Sequence, residues 1–142
     1  MFVVDELIDK WSDKDYWGGR QPFTSLWPDL VKEWVTRDRN SPSVILWSLG
    51  NELQIREGWT GYKGLNDWGV TMYRLMDVVV KRFDNTRLTT VAQFPARAGA
   101  IGHREKDYHS YTMPPKLAQA TDVASLNYQS AWYGESGSIV QT

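Results

Sequence analysis

The chain has 142 residues, of which 42% are hydrophobic and 23% charged, and its formal net charge is −1. This length fits one domain with a hydrophobic core, and the balanced charge offers no basic surface for nucleic acid or an anionic membrane. There is no cysteine, which excludes disulfides and thiolate metal sites, and no apolar run approaches the roughly 18 residues of a membrane span.

The first part of the chain predicts a strand, a helix and a second strand. Residues 2–5 form a short apolar run rich in β-branched side chains, which is typical of a buried strand. The polar stretch 12–23 is predicted to be a loop. Between residues 24 and 37, apolar side chains recur at intervals of three and four, so we expect an amphipathic helix with Pro28 in its first turn. Residues 44–47 are the second predicted strand.

The second part of the chain continues this alternation. We expect a helix over residues 65–83, a strand over 87–92, a short helix near 115–120 and a strand over 122–128. Residues 93–113 are irregular and polar. Strands that alternate with amphipathic helices predict an α/β fold with a parallel sheet, whose strands are buried on both faces and therefore read as unbroken apolar runs.

Three of the four predicted strands end in polar residues: Asp5-Glu6, Asn51-Glu52 and Asn127-Tyr128. In parallel α/β folds the functional groups lie at the carboxyl ends of strands. A glutamate at that position is partly desolvated, which raises its pKa and suits it to general acid catalysis. Spacing alone leaves open a second interpretation, in which Asn51 and Glu52 cap the following loop or satisfy backbone groups.

Three segments resemble one enzyme family. RDRNSPSVILWSLGNE, residues 37–52, closely resembles the acid/base segment of glycoside hydrolase family 2, the family of β-galactosidases, β-glucuronidases and β-mannosidases. FVVDE followed by Asp9 and Trp11 resembles the third barrel strand of that family, and DVASLNYQ resembles the sixth. The resemblance implies that residues 1–142 are a central part of one (β/α)8 TIM barrel domain, about strands three to six with the intervening helices.

Carried over by position, the resemblance implies roles for the polar residues at the strand ends. Glu52 would be the general acid/base, and Tyr128 would support the carboxylate of the nucleophile. Asn51 would hydrogen-bond the 2-hydroxyl of the sugar at the cleavage point. Glu6, and with less support Asp5, would line the floor of the pocket; a salt bridge to a barrel arginine is an equally good interpretation of both. Asn127, at the end of the fourth predicted strand, is a further candidate for a substrate contact.

The catalytic nucleophile is not among the residues that the resemblance assigns. Members of the family retain configuration, which requires a second carboxylate about 5–5.5 Å from the first. The family carries it on the seventh strand, whereas this chain ends fourteen residues after Tyr128. Glu135 follows no apolar strand and is interpreted as a loop residue. We therefore expect the nucleophile-bearing strand to lie outside the chain and the isolated chain to be inactive.

Aromatic and histidine residues complete the candidates. The chain has eight tryptophans and seven tyrosines, and Trp59 and Trp132 follow predicted strands where a sugar ring could stack; burial in the core is the alternative for any one of them. His103 and His109 lie in a polar loop, and we favour solvated or substrate-side residues over metal ligands. We expect no metal and no cofactor.

These observations favour retaining hydrolysis of O-glycosidic bonds in β-glycosides, carried out by a longer protein. The expected partners are a carbohydrate substrate, the remainder of the barrel and accessory β-domains of the parent chain, with no nucleic acid and no membrane. Two alternatives stay open. One is a non-catalytic carbohydrate-binding module that uses surface Trp and Tyr, and the other is a partial gene product with only a structural role.

Overall fold

The computed structural model describes residues 1–11, 21–51, 53, 69–93 and 116–127. Seven elements follow one another in the chain: β1 (Val3–Glu6), α1 (Phe23–Asp38), β2 (Val44–Asn51), α2 (Val70–Phe83), β3 (Leu88–Gln93), α3 (Lys116–Ala120) and β4 (Ser125–Leu126). The predicted alternation of strands and helices is confirmed. Two strands differ in length from the prediction, since β2 continues to Asn51 and β4 comprises only two residues.

The four strands form one sheet in the order β1-β2-β3-β4, and all three neighbouring pairs are parallel. This confirms the predicted α/β fold with a parallel sheet. Each crossover between neighbouring strands contains a helix, as the βαβ unit requires. Because every strand runs in the same direction, the residues that follow β1, β2, β3 and β4 meet at one edge of the sheet.

Helix α1 is amphipathic, as its sequence periodicity predicts. Trp27, Val31, Trp34 and Val35 are buried on one side, with exposed fractions between 0 and 7%. The helix begins at Phe23, so Pro28 is its sixth residue and lies beyond the first turn in which we expected it. At this position the proline has no N–H to donate to the carbonyl four residues earlier. Burial of the apolar side evidently outweighs this missing bond.

Helix α2 also presents one apolar side to the sheet, where Met72, Tyr73, Met76 and Val80 are buried. Gly69 precedes the helix with a φ of 85°, a left-handed conformation that glycine adopts at little cost. We predicted that this helix would begin at residue 65, but residues 65–68 lie outside the described residues. Its C-terminal part ends at Phe83 as predicted.

The sheet has a helix-covered face and an opposite face. Asp5, Trp47 and Thr89 are register partners on β1, β2 and β3. All three contact a helix: Trp34 of α1 donates to Asp5 at 3.0 Å and packs edge-on against Trp47, while Tyr73 of α2 bonds Thr89 at 2.6 Å. Both helices therefore cover the same face.

On the opposite face, the row formed by Val4, Leu46 and Leu88 carries apolar side chains. Val4 and Leu88 are each 53% exposed although they belong to a β-sheet. Apolar side chains of a parallel sheet are normally packed against another layer of the protein on both faces. This face is the side of the sheet that would point toward the axis of a closed barrel.

Asp84 and Arg87 form a partly buried ion pair at the amino ends of β2 and β3. The Asp84 carboxylate also accepts hydrogen bonds from the Trp47 indole at 3.0 Å and from the backbone and hydroxyl of Thr86 at 2.9 and 2.6 Å. Burial alone would raise the pKa of Asp84, but these donors and Arg87 outweigh it and lower the pKa to about 2.

Arg87 extends this cluster to the loop before β2. Its guanidinium donates to the carbonyl oxygens of Val44, Arg39 and Ser41 at 2.6, 3.0 and 3.0 Å. One side chain thus fixes the end of α1, the start of β2 and the start of β3. The position, opposite to the edge where functional groups gather, indicates a role in stability.

Candidate functional site

The candidate site lies at the carboxyl edge of the sheet, and β2 positions its central residue. Asn51 is the last residue of β2, and its backbone N–H donates to the carbonyl of Asp9 at 2.8 Å. Sequence analysis placed Asn51 just beyond a strand that ended at residue 47. The longer strand holds the residue within the sheet, so its side chain projects from a rigid element rather than from a loop.

Close packing just before Asn51 supports this geometry. The Trp11 indole donates to the carbonyl of Leu49 at 2.8 Å and is only 2% exposed. A Cβ atom on Gly50 would lie 2.8 Å from Nε1 of Trp11 and 3.2 Å from its Cε2. Only glycine therefore fits here without displacement, because both distances are shorter than ordinary van der Waals contact. The segment after β1 and the end of β2 are consequently locked together.

The side chain of Asn51 bridges two other segments. Its Nδ2 donates to Oδ1 of Asp9 at 2.9 Å, and its Oδ1 accepts from Nδ2 of Asn127 at 2.7 Å. Asn127 follows β4, and its own backbone N–H donates to the carbonyl of Gln93 at the end of β3 at 2.8 Å. Asn51 and Asn127, both predicted to be site residues, are therefore brought together by the fold.

Asp9 and Lys10 form the charged part of this cluster. Lys10 is 8% exposed, and its Nζ donates to Oδ1 of Asp9 and to the backbone carbonyl of Asn51, each at 2.7 Å. Burial would raise the pKa of Asp9, but the hydrogen bonds from Lys10 and Asn51 outweigh it and hold the pKa below its ordinary value. Asp9 is therefore ionised at neutral pH.

Sequence analysis gave no role to Asp9 or Lys10. Both lie in the segment after β1, where no periodic pattern marks a functional position. The available signal was topological, since a segment that follows one parallel strand meets the ends of the neighbouring strands.

The two consecutive carboxylates of β1 lie on different faces of the sheet. Glu6 Oε2 accepts from the hydroxyl of Ser48, its register partner on β2, at 2.9 Å. Asp5 faces α1, where it accepts the bond from Trp34, and burial raises its pKa above the ordinary value. We expected both to line the floor of a pocket. Because strand side chains alternate, the structure groups only Glu6 with the face opposite to the helices.

Gln93, at the end of β3, is a further polar residue that sequence analysis missed. Its side chain is fully buried, and its Nε2 donates to the carbonyl of Val91 at 3.2 Å. In the described part of the chain, its Oε1 has no hydrogen-bond partner. A buried acceptor without a partner is rare in proteins and costs free energy of desolvation.

Several predicted site residues lie outside the described residues: Glu52, Trp59, Tyr128 and Trp132. The same is true of three other residues weighed above: His103, His109 and Glu135. Four tryptophans are described, and all are buried at 0 to 7% exposure, namely Trp11, Trp27, Trp34 and Trp47. These four support the core and offer no exposed face to a sugar ring.

Among the described residues, no three side chains of the His, Cys, Asp and Glu types converge as a metal site. None of the helices described combines the length and apolar character that crossing a bilayer requires.

Comparison with known proteins matches this arrangement to one family. Residues 19–141 match the family described as "Glycosyl hydrolases family 2, TIM barrel domain". A β-glucuronidase of Paenibacillus borealis is 27% identical over 113 residues, which are 78% of this chain and 15% of that protein. A β-galactosidase of Bacteroides ovatus is 36% identical over 62 residues, which are 43% of this chain and 7% of that protein.

The solved structures give the same result for the fold. A glycosyl hydrolase family 2 member from Bacteroides cellulosilyticus superposes on 91% of this chain with a TM-score of 0.59 and 30% sequence identity. The chain covers 14% of that structure, and no more than 15% of either curated relative. The family match, which spans most of the chain, and the parallel sheet with its polar edge agree: this chain belongs to glycosyl hydrolase family 2, within the TIM barrel domain.

Proposed function

We propose that this chain is part of a (β/α)8 catalytic domain that hydrolyses β-linked glycosides with retention of configuration. Glu52 is the general acid/base: it protonates the leaving oxygen and then takes a proton from the incoming water. The observation that carries the proposal is the 2.7 Å hydrogen bond from Asn127 to Asn51. It joins the residues that immediately precede Tyr128 and Glu52, at the edge of the sheet where barrel enzymes perform their chemistry.

Asn51 is suited to the sugar contact that we assign to it. An asparagine amide has two N–H donors and an oxygen with two lone pairs. One donor is used on Asp9 and one lone pair on Asn127. In the described part of the structure, one donor and one lone pair remain for a hydroxyl group of the substrate. Glu6, held by Ser48 on the face opposite to the helices, is the second polar contact that we propose.

Three proposed contacts lie in segments outside the described residues. Tyr128 supports the nucleophile, and Trp59 and Trp132 offer faces on which the sugar stacks. The family relatives that share this segment are a β-glucuronidase and a β-galactosidase. Both names support a carbohydrate substrate with a β-linkage.

We also propose that residues 1–142 supply four neighbouring strands of one barrel. The exposed apolar side chains of Val4 and Leu88 support this, because they lie on the face that the remaining strands of a barrel would cover. The second carboxylate comes from one of those strands. The chain by itself is accordingly inactive, and accessory β-domains belong to the complete protein.

The experiment is an assay of aryl β-glycosides, with galactoside, glucuronide and mannoside compared. The chain alone and a version extended into the complete barrel are tested, each with Glu52→Gln. We expect turnover only by the extended protein, and a loss of about 10²–10⁴-fold in Glu52→Gln. Glu33→Gln, on the exposed side of α1, is the matched control and should retain full activity.

The leaving group sharpens this assay. The dinitrophenolate of a dinitrophenyl glycoside leaves without protonation, so Glu52→Gln should lose much less rate in the first step on that substrate than on a phenyl glycoside. Equal activity of Glu52→Gln and the unsubstituted protein on the phenyl glycoside would overturn the proposal.

A further inference from the structure

We propose that Asp9 is a positioning residue, whose carboxylate sets the orientation of the Asn51 carboxamide that receives the sugar. This inference rests on the proposed function for the role of Asn51, but its geometry does not. Asp9 itself makes the contact to Asn51 and acts on the substrate through it.

The first support is the number of bonds that join the two residues. Oδ1 of Asp9 accepts from Nδ2 of Asn51 at 2.9 Å, and the backbone carbonyl of Asp9 accepts from the backbone N–H of Asn51 at 2.8 Å. Main chain and side chain are therefore both fixed, although the residues are separated by 42 positions in sequence. A carboxamide held in this way presents its remaining donor in one direction only.

The second support is the charge of Lys10. Its Nζ donates to the same Oδ1 of Asp9 and to the carbonyl oxygen of Asn51, each at 2.7 Å. Lys10 is almost completely buried, so its charge requires a partner. The ammonium group thus holds the Asp9 oxygen in place, and a bond to an ionised acceptor is shorter and stronger than one between neutral groups.

The third support is the identity of the atoms. An asparagine side chain can rotate so that its oxygen and nitrogen exchange places. A carboxylate only accepts, so it admits the nitrogen of Asn51 on its side and turns the oxygen toward Asn127. With a neutral amide at position 9, either orientation of Asn51 could be bonded. The charge at position 9 therefore determines which atom of Asn51 faces each neighbour.

The first test is spectroscopic and requires no turnover. In the 15N-labelled protein, the side-chain NH2 resonances of Asn51 are identified by their loss in Asn51→Ala. Because one of these protons is bonded to Asp9, they should shift as Asp9 becomes protonated, with a midpoint below 3.8, the ordinary value. They should also move in Asp9→Asn and stay unchanged in the control Asp29→Asn, whose carboxylate lies exposed on α1. Asn51 resonances that ignore both pH and Asp9→Asn would overturn the positioning role.

The second test is kinetic and uses the complete barrel. Asp9→Ala should lower kcat/KM about tenfold on an aryl β-glycoside, the effect of one charge-assisted hydrogen bond. Asp9→Ala should lower kcat/KM far less on the 2-deoxy glycoside, which has no 2-hydroxyl for Asn51 to bind. Asn51→Ala should show the same pattern, and the double variant should be no worse than either single one.

The outcomes of the two tests are distinct. An equal loss on both glycosides means that Asp9 is merely structural and overturns the inference. Absence of turnover by any form of the barrel contradicts the proposed function, while the Asn51 resonances still decide the role of Asp9. If Asp9→Ala does not fold, the pH titration of the unsubstituted protein decides the question alone.

Discussion

The guanidinium of Arg87 lies 5.6 Å from the centroid of the Trp47 ring, while the indole nitrogen of the same tryptophan donates to Asp84. One aromatic side chain thereby contacts both members of a partly buried ion pair. This cluster is at the amino end of β2, and Asn51 is at the other end of the same strand. The candidate site and this ion-pair cluster therefore lie toward opposite ends of one strand.

Replacing Asp84 with asparagine should destabilise the protein by about 3 kcal/mol, because Arg87 would keep its charge in a largely buried position without a counter-charge. The Arg87 side chain is only 16% exposed. Urea unfolding measures the change. Asp29→Asn, an exposed carboxylate on α1, should change stability by less than about 0.5 kcal/mol. A loss of less than about 1 kcal/mol in Asp84→Asn would contradict the stabilising role of the Asp84–Arg87 ion pair.

The same carboxylate predicts a dependence of stability on acid. The pKa of Asp84 is lowered in the folded protein from 3.8 to about 2. The ionised Asp84 therefore contributes about 2 kcal/mol to the free energy of unfolding above pH 4, and this contribution is lost as the pH falls through 2. In urea unfolding at pH 6 and pH 2.5, the difference between the unsubstituted protein and Asp84→Asn should shrink at the lower pH. An unchanged difference would show that the charge of Asp84 is not the cause.

Gly50→Ala should destabilise the protein by about 1–3 kcal/mol, as expected for overpacking. The new methyl group would lie 2.8 Å from the indole nitrogen of Trp11, so the indole must move and its bond to Leu49 must lengthen. A double-mutant cycle with Trp11→Phe, read by urea unfolding, tests the cause. The penalty for Gly50→Ala should be smaller in the Trp11→Phe background, and equal penalties in both would exclude this contact.

Gln93→Met should leave stability unchanged or raise it by up to about 1 kcal/mol. The substitution keeps the approximate size of a fully buried side chain and removes an acceptor that has no partner in the described residues. It also removes the 3.2 Å hydrogen bond from Nε2 to the carbonyl of Val91, which offsets part of the gain. Thermal unfolding measures the effect, with Gln119→Met on the exposed side of α3 as the control for the amide-to-thioether change. A loss above about 2 kcal/mol would contradict this prediction and show that the bonds of the Gln93 amide stabilise the fold.

The parts of the fold that follow from periodicity could be predicted. The spacing of Trp27, Val31, Trp34 and Val35 identified α1 within one residue at each end, because burial of one helix side dominates its sequence. The boundaries of β2 and β4 could not be predicted. Pairing in the sheet continues through Gly50 and Asn51, although their sequence is typical of a loop. Strand pairing is a tertiary property that single-strand patterns do not contain.

The candidate site was predictable only in part. Asn51 and Asn127 were expected at one edge of a parallel sheet, and the structure joins them directly. Asp9 and Lys10 act through contacts with residues about 41 positions away, which no local pattern reveals. The division between Asp5 and Glu6 follows from strand alternation once the covered face is known, and only the tertiary structure identifies that face.

The hydrogen bond between Asn51 and Asn127 has one consequence for the pH dependence of the site. Neither carboxamide gains or loses a proton between acid and alkaline solution. The contact between the ends of β2 and β4 is therefore independent of pH. The neighbouring Asp9 keeps its charge into the acid range. In the glycosidase that we propose, the acid/base residue would exchange protons while the Asn51–Asn127 hydrogen bond keeps the two strand ends fixed.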